Sequence, residues 1–133
     1  MRSPRQIGLV TAVWLFTFVL FAFGPAIAQS GPDVSGTWIR GDGNAHVRIA
    51  ECGESLCATN VWIGDTSKGE EVGDKLIMTL QPKSDTTLAG QAYDPKRGLT
   101  FSMTIKTVSS GLTTRGCVVG GIICKSASWS PAR

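Results

Sequence analysis

Four cysteines carry the most chemistry in this chain of 133 residues: Cys52, Cys57, Cys117 and Cys124. Four thiols could hold a zinc ion or make two disulfides. Structural zinc sites use tightly spaced cysteine pairs, and the step from Cys117 to Cys124 is too wide for that pattern. The residues between them read instead as a β-hairpin. Gly120-Gly121 sits centrally, and a two-residue hairpin turn favours glycine where φ must be positive. That turn sets Cys117 opposite Cys124, within the span a disulfide accepts. A second hairpin around Gly53-Glu54-Ser55-Leu56 sets Cys52 opposite Cys57. The spacing therefore predicts the disulfides Cys52–Cys57 and Cys117–Cys124, an oxidising compartment, no metal site and no cofactor.

The other reactive residue types do not form a recognisable catalytic set. His46 is the one histidine. It has no local Ser-His-Asp arrangement. Asp65, Glu70, Glu71 and Asp74 lie in one polar stretch, but their spacing is not that of a calcium loop. No two carboxylates stand out as the acid–base pair of a glycoside hydrolase. No catalytic residue is assigned, and an enzyme is the least favoured reading.

The elements that would position any site are strands. Gly36–Arg40 reads as the first, ending at the turn Gly41-Asp42-Gly43-Asn44. Ala45–Glu51 alternates with period two, and so does 99–105, where Leu99, Phe101, Met103 and Ile105 face one way. Residues 58–63, 75–81, 86–93, 112–119 and 122–130 complete about eight short strands. Gly64–Asp74 is the longest loop. No helical period occurs beyond the N-terminal stretch. The pattern predicts an all-β fold, a single antiparallel up-and-down (lipocalin-like) barrel of about eight strands. A barrel of that size either fills its interior with side chains or holds one small ligand.

Register then sorts the side chains. The Gly120-Gly121 hairpin places Leu112, Thr114, Gly116 and Val118 on one face with Ile123, Lys125, Ala127 and Trp129. Lys125 falls opposite Gly116, and Leu112 opposite Trp129. In the first hairpin the predicted register sets Val47 opposite Trp62 and Ile49 opposite Asn60, all inward. His46, Arg48, Cys52 and Cys57 fall on the outer face. Arg40 shares parity with Trp38. Trp38, Arg40, Asn60, Trp62, Lys125 and Trp129 are thus the candidate ligand-binding residues: three indoles, with three polar groups at the barrel mouth.

The N-terminus reads as a secretory signal peptide over 1–28. Arg2 and Arg5 give the positive region, Ile7–Phe23 the apolar one, and Ala26-Ile27-Ala28 the cleavage site. The domain is then 29–133, with no stable membrane span after cleavage. The leader holds two of the thirteen basic residues and none of the ten acidic ones, which leaves the mature chain at a net charge of +1. So small a charge, with no basic run among aromatics, argues against nucleic acid as a partner.

Gly36-Thr37-Trp38 resembles the first strand of lipocalins and avidin-like barrels. A longer set of motifs is similar to the exported bacterial family called domain of unknown function 2147. It comprises Gly36-Thr37-Trp38, Cys52-Gly53-x-x-Leu56-Cys57, Val61-Trp62, Tyr93-Asp94-Pro95, the strand Leu99–Ile105, Arg115-Gly116-Cys117 and Ser128-Trp129. That resemblance implies a small exported β-barrel and brings no catalytic residues. The expectation is an exported protein, periplasmic or secreted, that binds a small-molecule or lipid ligand without catalysis. An envelope protein as partner, with a filled barrel, is the alternative.

Overall fold

The computed structural model describes Pro4, Gly8, residues 11–22, Gly24 and residues 30–133. Arg2, Arg5 and Ala26-Ile27-Ala28, on which the signal-peptide reading rests, lie outside the described residues. Residues 11–22 form no regular secondary structure, and their side chains are exposed. No helix among the described residues is long and apolar enough to cross a membrane.

The barrel strands are β1 (Gly36–Arg40), β2 (Ala45–Cys52), β3 (Ser55–Ile63), β4 (Lys75–Ser84), β5 (Thr87–Asp94), β6 (Leu99–Val108), β7 (Gly111–Val118) and β8 (Ile123–Pro131). Each pairs antiparallel with the next, and β1 pairs with β8, so the sheet closes in simple up-and-down order. Closure is what lets short, polar strands coexist here, because it leaves no edge with unpaired N–H and C=O groups. Alternation does the sorting. On β6, Met103 and Ile105 are buried, while Ser102 and Lys106 on either side of them are exposed and Thr104 between them is half-buried. On β2, Val47 and Ile49 are buried on either side of exposed Arg48. The interior is apolar and the outer face is rich in Thr, Ser and Lys, as a barrel in water requires.

The two ends differ. The β2–β3, β4–β5 and β6–β7 turns sit at the base. There the segment before β1 packs across the barrel: Val34 is buried and its carbonyl accepts the Trp38 indole N–H at 3.0 Å. Gly31 passes against Pro82 and Leu88. The β1–β2, β5–β6 and β7–β8 turns and the loop between Ile63 and Lys75 sit at the opposite end. β4 runs on through Pro82 to Ser84, past the end at residue 81 that the sequence pattern gives. A bulge between Pro82 and Ser84 accommodates the missing N–H.

Both predicted disulfides are present. Cys117 and Cys124 are direct register partners with Cα atoms 4.1 Å apart. The turn glycines have φ of 63° and 86°, as a two-residue turn demands. Cys52 and Cys57 are bonded with Cα atoms 5.7 Å apart, but not directly opposed. Cys52 pairs with Ser55, and Cys57 with Ala50. The chain turns in two residues, Gly53-Glu54, not four. Gly53 has φ of 68°, which suits glycine at the first turn position. Each bond closes a loop small enough that the chain-entropy model assigns it about 2–2.5 kcal/mol.

Candidate functional site: a hollow barrel with a polar mouth

The barrel is not filled. A cavity of about 740 Å³ runs from the loop-bearing end down to Met78, Ile105 and Leu112. That volume lies within the range of about 300–1,000 Å³ usual for small-ligand sites. Its wall is made by Trp38 and Val47 from the first two strands, Leu76 from β4, Phe101 and Met103 from β6, and Trp129 from β8. The Trp129 indole N–H donates to Thr114 Oγ1 at 2.9 Å, so its one polar atom is satisfied and its ring serves as apolar wall.

Five of the six candidate ligand residues border this cavity: Trp38, Arg40, Asn60, Lys125 and Trp129. Trp62 does not, and its expected inward orientation is wrong. The β2–β3 register sets Val47 opposite Asn60 and then His46 opposite Trp62, skipping Val61. One extra residue reverses every later side chain on that strand, because the side-chain period is two. Trp62 therefore lies outside, 45% exposed. Its ring stacks obliquely on His46 with centroids 4.7 Å apart. The expected pairs Val47–Trp62 and Ile49–Asn60 are replaced by Val47–Asn60 and Ile49–Ala58.

Of the three polar groups expected at the mouth, two are engaged by the protein. Arg40 is held on both sides. Its Nε donates to both carboxylate oxygens of Asp42 at 3.0 Å, and its two terminal nitrogens bond both oxygens of Glu70, the Nη2–Oε2 contact being 2.9 Å. Asn44 joins them, its Nδ2 donating to Glu70 Oε2 at 3.1 Å while its Oδ1 accepts the Asp65 N–H at 2.7 Å. Asn60 Nδ2 donates to the Glu71 carbonyl at 3.2 Å. These bonds tie the loop over 64–74 to the end of β1, to the β1–β2 turn and to β3. A second tie runs to the β5–β6 turn, where Lys96 Nζ lies 3.1 Å from Asp74 and 3.3 Å from Glu71. Asp94, buried, pairs with Arg97 at 2.8 Å.

The charges follow from these contacts. Hydrogen bonds from Arg40 hold the Glu70 and Asp42 carboxyls below the usual range. The same bonds, to Glu70 first and then Asp42, push the Arg40 guanidinium higher still. At Asp74 burial opposes ionisation, but the Glu71 N–H and Lys96 outweigh it and the carboxyl is held low.

Lys125 stands apart. It pairs in register with Gly116, lies exposed at the mouth and has no ion pair among the described residues. A Cβ on Gly116 would come within 3.0 Å of the Phe101 ring, so the aromatic occupies the room that a side chain there would need. Sequence reasoning passed over Lys68 and Lys75, which also border the cavity, and over the Arg40–Glu70 clamp. The lysines carry no periodic signal because they lie in or beside the loop. Leu76, Phe101 and Met103 did carry one, their inward parity. A rim of exposed apolar groups surrounds the mouth: Val72 in the long loop, Leu99 at the start of β6, and Val119, Ile122 and Ile123 at the β7–β8 turn.

A family model described as "Uncharacterized protein conserved in bacteria (DUF2147)" matches residues 36–130. No curated protein and no solved structure matches the chain. The matched span covers every strand from β1 to within a residue of the end of β8, and the chain belongs to that family.

Proposed function

We propose that this member of the DUF2147 family binds one small amphiphile inside the barrel, apolar part inward, without catalysis, in an exported compartment. One observation carries the reading: an eight-stranded barrel that is open at one end, apolar along its wall and polar at its mouth. Burying an apolar chain in such a wall contributes about 25 cal/mol per Å² removed from water. Two disulfides suit the periplasm or the extracellular space. The ionisable groups of the mouth are largely paired with one another, which leaves no evident acid–base couple for a reaction.

The test is titration with N-phenylnaphthylamine, a neutral apolar dye that fluoresces when shielded from water. One dye should bind per chain. Replacing Ala127, which borders the cavity, with Phe should weaken binding, and Trp62→Phe should leave it unchanged because Trp62 faces outward. A dye that stays dark at all protein concentrations would contradict the reading. A second reading, an envelope interaction module with no ligand, draws on the apolar rim at the mouth. It expects that dark outcome.

A further inference from the structure

We infer that the cavity selects an amphiphile whose head group is an anion, seated at the mouth by Lys125. The inference rests on the ligand-binding reading above and adds the sign of the head group.

Most of the charged groups around the opening are already paired with one another. The acids that border the cavity are Asp42, Asp65, Glu70, Asp74 and Asp94. Four of them are committed: Asp42 and Glu70 to Arg40, Asp74 to Lys96, Asp94 to Arg97. Asp65 alone has no cationic partner among the described residues, and its carboxylate accepts the Ser67 N–H at 2.9 Å. Arg40 is consumed by the same pairing. The cations left over are Lys68, Lys75 and Lys125. The charges bordering the cavity balance, five acids against Arg40, Lys68, Lys75, Arg97 and Lys125, but they are unevenly placed: every acid except Asp65 is held in an ion pair, while these three lysines make none among the described residues.

Position makes Lys125 the foremost of the three. It projects from β8 opposite a glycine and makes no ion pair among the described residues, although it lies near enough to Asp42 to help Arg40 hold that carboxyl low. Below it on the same inward face come Ala127 and then Trp129, which meets Leu112 in the cavity floor. A head group held at Lys125 thus has an apolar track leading directly inward. An ammonium head placed at Lys125 would be repelled by it. A hydroxyl head would accept from the lysine as a neutral group only. A carboxylate gains a charge-assisted hydrogen bond, about twice as strong as a neutral one.

Three probes of equal chain length separate these cases: dodecanoate, dodecanol and dodecylammonium, each competing with N-phenylnaphthylamine at about pH 8, where the acid is ionised and the amine protonated. Dodecanoate should displace the dye at about tenfold lower concentration than dodecanol, and dodecylammonium should be weakest. Lys125→Met should erase most of the advantage of dodecanoate over dodecanol, the two probes being compared within that one variant. Lys125 is exposed, so its replacement leaves the core intact, and an unchanged melting temperature verifies that. Equal displacement by all three probes, with the dye clearly bound, overturns the head-group inference and leaves the hollow-barrel reading standing. Preference for dodecylammonium overturns it equally. Absence of dye binding removes the underlying reading as well.

Discussion

At the scale of single residues, Val119 is the position most at odds with its surroundings. It is the one non-glycine residue at positive φ among those described, at 53°. A β-branched side chain is poorly tolerated there, at a cost of about 1–3 kcal/mol. The disulfide beneath and the two turn glycines beside it hold the backbone in place. Its side chain gains little, being 66% exposed. Val119→Asn should therefore raise stability by about 0.5–1 kcal/mol, read as a shift of the urea midpoint with unchanged slope. A destabilised variant would mean that the valine side chain is needed, for instance as part of the apolar rim. Trp62 teaches a complementary lesson at this scale. Its indole looked like a wall residue by parity, and a single extra residue at Val61 put it outside. Hydrophobic alternation cannot reveal a bulge between two apolar residues, because both registers bury something.

At the scale of elements, the loop over 64–74 is the part whose order depends on charge. Beyond its ion pairs, two backbone bonds close it on β3: Asn60 N–H to the Asp74 carbonyl at 2.9 Å and Gly73 N–H to the Asn60 carbonyl at 2.8 Å. Glu70 has its pKa lowered from an ordinary 4.5 by Arg40. A carboxyl depressed in the folded state adds stability that is fully present above its unfolded value and is lost as pH falls through its folded value. Protection of the Asn60 and Gly73 amides from hydrogen exchange, corrected for intrinsic rates, should hold steady above about pH 5 and fall in more acidic solution. Glu70→Gln should reduce protection at neutral pH by about 1–2 kcal/mol and flatten part of that acid dependence. Asp42 and Asp74, also held low, supply the remainder. Protection that is unaffected by Glu70→Gln would mean that the clamp does not order the loop.

The elements themselves were the most legible part of the sequence. All eight strands, the long loop and the Gly120-Gly121 register could be read from period-two alternation and turn glycines, since both signals are local. The Cys52–Cys57 hairpin was legible in its bond but not its register. Gly53-Glu54 offered a two-residue turn, and assuming opposed cysteines concealed it. The clamp of Arg40 on Glu70 was not legible, because it joins residues thirty apart that only barrel closure brings together. Five of the six candidate residues came from parity and do border one cavity, but parity cannot tell that Arg40 and Asn60 would be occupied by the protein itself.

At the scale of the whole molecule, the architecture places a packed base at one end and an open mouth at the other. The base is closed by Val34, Trp38 and Leu88, together with residues of the surrounding strands. The mouth carries the long loop, the ion pairs, the free lysines and the exposed apolar rim. Such an arrangement suits a container whose walls are fixed by continuous strand pairing and whose opening can vary. Native mass spectrometry of the protein, released gently from cells that make it, asks outright whether the hollow interior holds a ligand. The account predicts a population carrying one adduct per chain in the mass range of a single-chain amphiphile, shed on mild activation and missing from the Ala127→Phe variant. Protein that emerges only at its bare mass, and that takes up no added dodecanoate in the same spectrometer, would contradict it.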